Sequence, residues 1–237
     1  KNANPNGTLT YGIDLNDGFD NTLSPEQSLN PCGFAILSNI YASGLGINNT
    51  AFTPNVIESW STTPNTVTLH IRPGVVFSNG DPVDANAIKT SLLYSQKSPL
   101  LTTLTAISSI DVVNPLTVVL NLSNPIPGDV VQAMYHSDGT IYDPSTISTD
   151  GTKPVGAGPF VLKSYLNGSS INLVANPKYW NKGQYSLGGV NFVAASNGPQ
   201  LVSGLETGAF DMTTLEPDDV AAVKAVPSLA VVVGKSY

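Results

Sequence analysis

The stretch from Thr66 to Leu93, TVTLHIRPGVVFSNGDPVDANAIKTSLL, leaves the chain little conformational choice. Val67, Leu69 and Ile71 alternate with Thr66, Thr68 and His70, the period of a half-buried strand. Arg72-Pro73-Gly74 then turns the chain. Proline presets φ at the first central position, and glycine supplies the positive φ that a type II turn needs next. Val75, Val76 and Phe77 read as a short second strand, and Asn79-Gly80 as a second turn. Asp84 is placed to cap a helix, because its carboxylate can accept from the open amides of the first turn. Val83 and Ile88 have the spacing of a hydrophobic staple, and Ile88, Leu92 and Leu93 are expected to face one core. All of this is fold physics and carries no function.

Composition removes several function classes. The 237 residues suffice for one large domain or two small ones. Charge is sparse and the polar residues are mostly Asn, Thr and Ser, as in a secreted or surface-exposed globular protein. A formal charge of −7, with basic residues scattered singly, argues against a nucleic-acid partner. No apolar run is long enough to span a bilayer. No signal-peptide layout is visible, so an exported chain would have Lys1 as a processed or trimmed start. A single cysteine, Cys32, excludes an internal disulfide and a Cys-rich metal site. The Asn-x-Ser/Thr triplets at Asn6, Asn48, Asn121 and Asn167 are what so Asn- and Thr-rich a chain gives by chance.

Along the chain, Leu9–Ile13 reads as a first strand, followed by a long loop from Asp14 to Pro31, broken by Gly18, Pro25 and Pro31. Phe34 to Leu45 has Ile36, Ile40 and Tyr41 at helical spacing, with Gly44 and Gly46 to end it. Trp60 is expected as a core anchor. A weaker helix is predicted over Leu100–Ile107, and a hairpin over Ile110–Val113 and Leu116–Leu122 around Asn114-Pro115. Met134 to Ile147 reads as loop. Gly156-Ala157-Gly158 suggests a phosphate cradle, but a strand from Phe160 follows where such a cradle needs a helix. The better reading is a strand entry where two backbones nearly touch. Ile171–Val174, Val190–Ala194 and Leu229–Val233 read as strands. Gln200–Thr207 reads as a helix ended by Gly208 in the αL conformation, and Glu216-Pro217-Asp218-Asp219 opens another that stops before Pro227.

Catalytic patterns are missing. There is no Gly-x-Ser-x-Gly, Ser-x-x-Lys or His-Glu-x-x-His. His70 falls on the polar face of its strand and His136 stands alone in a loop, which is too little for a transition-metal site. Asp211, Glu216, Asp218 and Asp219 read as helix-start acids rather than a catalytic pair. Cys32 has no evident basic neighbour to lower its pKa. The chain is read as a non-enzyme with no cofactor.

Four separated motifs carry a family resemblance. Ile71-Arg72-Pro73-Gly74-Val75-Val76-Phe77 with Gly80-Asp81-Pro82, then Pro154-Val155-Gly156-Ala157-Gly158-Pro159-Phe160, Asn176-Pro177-Lys178-Tyr179-Trp180, and Leu205–Met212 resemble the family 5 extracellular solute-binding proteins. These are the peptide, dipeptide and nickel receptors of ABC importers. Asn55–Trp60 also resembles a family segment. One departure is Ala85-Asn86-Ala87, where the family has Ala-Glu-Asp; Asp84 restores an acid at that helix start.

The resemblance implies an α/β fold, namely the mixed β-sheet lobe of a two-lobed, type II-like periplasmic-binding-protein fold with an inserted strand-rich subdomain. Residues 1–45 and 155–237 would form the main lobe and 46–154 the subdomain, while the second lobe of the longer family members would lie outside this chain. It also implies ligand contacts from the segment after the first strand, Ser28, Leu29, Asn30, Pro31 and Cys32, whose register carries a one-residue insertion. A second set, Thr213, Thr214, Leu215 and Glu216, would edge the cleft. The implied ligand is a small molecule, foremost an oligopeptide, with a nickel chelate or oligosaccharide as alternatives; a non-transport sensing or protein-interaction role is the other reading. The implied partner is an ABC permease met by a monomer in the periplasm or at the cell surface, with a lipid anchor upstream of Lys1 compatible with that location.

Overall fold

A computed structural model describes residues 6–15, 22–28, 31–99 and 102–233, apart from the side chains of Pro31 and Cys32. Strand β1 (Thr8–Asp14) leads, past a 3-10 turn at Pro25–Gln27, to helix α1 (Pro31–Ile40). This helix starts before the predicted Phe34 and stops short of Leu45, because the chain beyond Tyr41 is taken into strands. These are β2 (Ala42–Ser43), which pairs with Thr140–Ile141, and the hairpin β3 (Leu45–Asn48) and β4 (Ala51–Pro54). There follow β5 (Ile57–Thr63), β6 (Thr66–Ile71), α2 (Ala85–Ser95), β7 (Ile107–Asn114), β8 (Thr117–Leu122), α3 (Pro127–Ala133) and β9 (Thr140–Ile141). The remaining elements are β10 (Phe160–Leu166), β11 (Ser170–Ala175), β12 (Gly189–Ala195), α4 (Gly198–Thr207), β13 (Met212–Thr213) and α5 (Val220–Lys224).

Two larger sheets result, in a mixed α/β architecture as expected. One is antiparallel in the order β5-β6-β8-β7; the other runs β10-β11-β12-β1-β13, with β1 parallel to both of its neighbours. Each sheet has its own buried cluster. Val67, Leu69 and Ile71 of β6 bury against Phe77, Ile88 and Leu120, while His70 faces solvent as its alternation requires. Ile13 of β1 buries with Ile36 and Ile40 of α1 and with Val190 and Phe192 of β12.

The opening stretch folds largely as read. Gly74 takes φ +79°, Asp84 Oδ1 accepts the Ala87 N–H at 2.9 Å, and Val83 and Ile88 are both buried. Three details differ. Leu93 is 42% exposed, because it lies one position round the helix from Leu92. Val75–Phe77 makes only a single bridge, Val76 to Pro82, because the tight turn at Asn79-Gly80 folds it back on its own continuation. Trp60 is half-buried, packed against the edge of the core rather than inside it.

Elsewhere, the helix expected over Leu100–Ile107 reduces, among the described residues, to a 3-10 turn at Thr103–Ala106, with Ile107 already in β7. Helix α3 was not anticipated: Pro127, which looks like a breaker, sits in its first turn, where a missing N–H costs nothing. The Met134–Ile147 loop contains a 3-10 turn and β9. Leu229–Val233 forms no strand, and Val232 and Val233 are exposed.

The two sheets are joined where the sequence motifs meet. The Gly158 N–H donates to the Ile40 carbonyl at 2.9 Å, satisfying one of the open acceptors at the C-terminus of α1. A Cβ on Gly156 would lie 2.1 Å from that same oxygen. The Ser78 N–H donates to the Gly156 carbonyl at 2.9 Å, and Asn176 Nδ2 donates to the Gly158 carbonyl at 2.8 Å. Arg72 lies 4.5 Å over the Trp180 ring and donates through Nε to the Asn55 carbonyl. Lys178 Nζ reaches the Asn79 carbonyl at 2.7 Å.

Gly156→Ala should therefore destabilise by at least the ~1–3 kcal/mol of an overpacked site, read as a lowered urea midpoint. Gly128→Ala, in an exposed turn of α3 with no atom within 4 Å of the new Cβ, should stabilise by about 0.4–1 kcal/mol. Equal effects at the two positions would contradict this packing.

Candidate ligand-binding site

Strands β12, β1 and β13 run parallel and end together: Asp14 pairs with Ala195, and Gly12 with Thr213. Helix α1, which follows β1, packs on one face of the sheet through Ile36, Leu37 and Ile40. Helix α4, which follows β12, packs on the other through Leu201, against Ala195 and Phe210. Chain leaving two adjacent parallel strands for opposite faces opens a crevice at their carboxyl ends, the place where open α/β sheets take ligands. Gly12 makes this packing possible, since a Cβ there would lie 2.8 Å from Leu201 and from Phe210.

Thr213, Thr214 and Leu215 come together at this edge. The Thr213 hydroxyl donates to the Gly12 carbonyl at 2.8 Å and so ties β13 to β1. Thr214 is exposed, and its Oγ1 lies 2.5 Å from the hydroxyl of Tyr11. Leu215 packs against the Leu201–Phe210 cluster, and Glu216 is exposed. Thr214 and Glu216 thus face outward, while Thr213 and Leu215 brace them. From sequence Tyr11 is only a strand residue; nothing in its local pattern distinguishes it. Asp211 secures the entry to β13 by exchanging two hydrogen bonds with the backbone of Thr10, each 2.8 Å.

The other predicted group is less completely placed. Ser28 is 7% exposed and ends the 3-10 turn at Pro25–Gln27. Pro31 and Cys32 open α1, with their side chains outside the described residues. Leu29 and Asn30 also lie outside the described residues.

The segment leading to Ser28 is fixed by a buried polar cluster that no sequence motif announces. Ser24 Oγ contacts both Glu26 and Asp150. Glu26 also accepts from the hydroxyls of Tyr94 at 2.7 Å and Tyr142 at 3.1 Å, and its backbone carbonyl accepts from Ser98 at 3.0 Å. Leu23 N–H donates to the Gly151 carbonyl at 3.0 Å. Glu26 and Asp150 are 7% and 6% exposed. Burial pushes the Asp150 carboxyl up to about 6; the hydrogen bond from Ser24 opposes the shift and the nearby charge of Glu26 adds to it. Burial also raises the hydroxyls of Tyr41, Tyr94 and Tyr142, which therefore remain donors.

The outward groups at the strand ends are hydroxyls, one carboxylate and backbone, suited to holding a polar ligand. Among the described residues, no three His, Cys, Asp or Glu side chains are grouped to hold a metal, and no helix is long and apolar enough to cross a membrane.

A profile of the bacterial extracellular solute-binding proteins, family 5 middle, matches residues 51–237. The nickel-binding protein NikA of Staphylococcus aureus is 31% identical over 158 residues, covering 65% of this chain and 31% of that protein. The periplasmic oligopeptide-binding protein OppA of Haemophilus influenzae is 25% identical over 201 residues, covering 72% of this chain and 37% of that protein. The solved structure of OppA from Burkholderia pseudomallei superposes with a TM-score of 0.82 at 17% identity, over 94% of this chain and 49% of that one. The chain thus spans half or less of the length of these proteins.

The buried Asp150 carboxyl makes stability depend on pH. A folded-state value of about 6 for Asp150, above its ordinary 3.8, means that its protonated form is the one favoured by folding. That contribution, up to about 3 kcal/mol, is complete below pH 4 and is lost as pH rises through 6. Melting temperature should fall between pH 4 and 7, and Asp150→Asn should flatten the slope. An unchanged slope in Asp150→Asn would contradict the assignment.

Proposed function

This chain belongs to the bacterial extracellular solute-binding proteins of family 5, and on that premise we propose that it forms one lobe of a receptor that captures a small ligand and delivers it to an ABC importer. In this reading, residues 1–45 and 155–237 make the lobe, 46–154 decorate it, and a second lobe closes over the ligand. The receptor works outside the cytoplasmic membrane as a monomer. It is a binding protein and not an enzyme, in line with the binding proteins it resembles.

The observation that carries this reading is the meeting of the carboxyl ends of β12, β1 and β13, with Thr214 and Glu216 exposed there and Tyr11 bonded to Thr214. An oligopeptide is the ligand class we favour. An extended peptide needs backbone and hydroxyl partners along its length, and strand ends that carry the exposed Thr214 hydroxyl offer both. Closure of the second lobe would exclude water and strengthen each of those contacts. The Ser28–Cys32 segment is proposed to meet the same ligand from the start of α1.

A second reading takes a nickel chelate as the ligand, because a nickel-binding protein is among the relatives. With no three-ligand cluster among the described residues, nickel would arrive with its own chelator.

Thermal unfolding of the full-length protein with Ala-Ala-Ala, Ala-Ala-Ala-Ala, nickel chloride and the nickel–histidine complex separates the two. A probe at about a hundred times its Kd should add roughly 2.7 kcal/mol to stability. The peptide reading expects a shift with the peptides that Thr214→Ala weakens by about threefold to tenfold in Kd, the loss of one hydrogen bond. A shift with the nickel complex alone would replace the peptide reading. No change of affinity in Thr214→Ala would remove the crevice from the site.

A further inference from the structure

We propose that Ser24, Glu26 and Asp150 form a proton-operated latch on the turn that carries Ser28: one added proton closes it, and loss of that proton frees the turn and weakens the hold on ligand. The effect on affinity rests on the reading in which the Ser28–Cys32 segment meets the ligand.

The geometry fixes a proton count. Ser24 Oγ is in hydrogen-bond contact with Oε2 of Glu26 and with Oδ2 of Asp150. A hydroxyl has one proton to donate, so it can serve only one of two ionised carboxylates. The other would face it oxygen to oxygen. A proton on Asp150 removes the conflict: Asp150 donates to Ser24, and Ser24 donates to Glu26. The other carboxyl oxygens are already served. Tyr94 donates to Oε1 of Glu26 at 2.7 Å, Tyr142 to Oε2 at 3.1 Å, and the Gly151 N–H to Oδ1 of Asp150 at 2.7 Å.

No cation stands in for that proton. Among the described residues no Lys, Arg or His pairs with either carboxyl; the ion pair is Arg72 with Glu58. The ionisable groups facing the two carboxyls are the hydroxyls of Tyr41 after α1, Tyr94 of α2 and Tyr142 after β9. Burial raises all three, so they stay neutral donors. Ionising both carboxyls therefore sets two like charges together in a buried site, with nothing positive to offset them.

The position of the cluster decides what the proton controls. Leu23 is the fixed end of the segment. Its side chain lies in the core with Ile36 and Ile40, and its N–H donates to the Gly151 carbonyl at 3.0 Å. Beyond Leu23 the 3-10 turn at Pro25–Gln27 runs into Ser28. Ser24 and Glu26 hold that turn against Tyr94 of α2, Ser98 just after it, and Tyr142 and Asp150 of the chain beyond β9. When Asp150 ionises, repulsion between the carboxylates pushes the turn away from that chain, and Ser28 moves with it about Leu23.

Hydrogen exchange of the full-length protein without ligand, corrected for the intrinsic effect of pH, reads the latch directly. Protection of the amides of residues 23–28 should fall about tenfold between pH 5 and pH 8, since Asp150 titrates at about 6. Asp150→Asn, whose amide donates to Ser24 at every pH, should keep protection high and level. Ser24→Ala should leave it low at both pH values. The Kd for Ala-Ala-Ala should rise about threefold to tenfold over the same range, and stay level in Asp150→Asn. Protection that does not change with pH, or a fall that persists in Asp150→Asn, would overturn the latch. A fall in protection with a level Kd would overturn its link to the ligand. The same fall with no peptide binding at either pH would support the latch and overturn the peptide reading of the crevice.

Discussion

The carbonyl oxygen of Ile40 is the point on which the two halves of this fold meet. It is one of the acceptors that an α-helix leaves open at its C-terminus, and it is buried where water cannot reach it freely. The Gly158 N–H satisfies it, and Gly156 passes so close that only a residue without a Cβ fits. From this contact the chain enters β10 and the main sheet, while the Gly156 carbonyl reaches across to Ser78 beside the strand-rich sheet. The relative position of the two sheets follows from a few backbone atoms with no room to move.

That junction accounts for the sequence motifs. Arg72, Gly80, Gly156, Gly158, Asn176, Lys178 and Trp180 lie in three separate stretches of sequence, yet they bond to or pack against one another in one region. Their chemistry is geometric: a planar cation on a ring, glycines under a helix end, an amide holding a turn. The groups proposed to face the ligand are elsewhere, at the ends of β1 and β13, where local sequence constrains less. The residues that carry the family resemblance build the frame, and the proposed ligand contacts fall on strand ends and loops outside it.

What sequence could reveal divides along the same line. β6, the Gly74 turn, the Asp84 cap, the β7–β8 hairpin and the Gly208 cap were legible because each is set by neighbours within a few residues. The ends of α1 were not, because pairing of Ala42–Ser43 with Thr140–Ile141, about a hundred residues away, takes the chain out of the helix. Thr214 is singled out by resemblance alone and Tyr11 not at all, since a hydroxyl partner 203 positions distant leaves no local trace. The Ser24–Glu26–Asp150 cluster was invisible for the same reason: its members read as loop residues until the fold buries them together.

The most direct measurement is amide hydrogen exchange of the full chain, free and with whichever peptide or nickel probe raises its stability. The account predicts new protection confined to residues 10–15, 28–32 and 213–216, with the Gly158 and Ser78 amides slow in both states and unchanged. Protection that appears at the junction or along β3 and β4, with none at the ends of β1 and β13, would place the ligand elsewhere and contradict it.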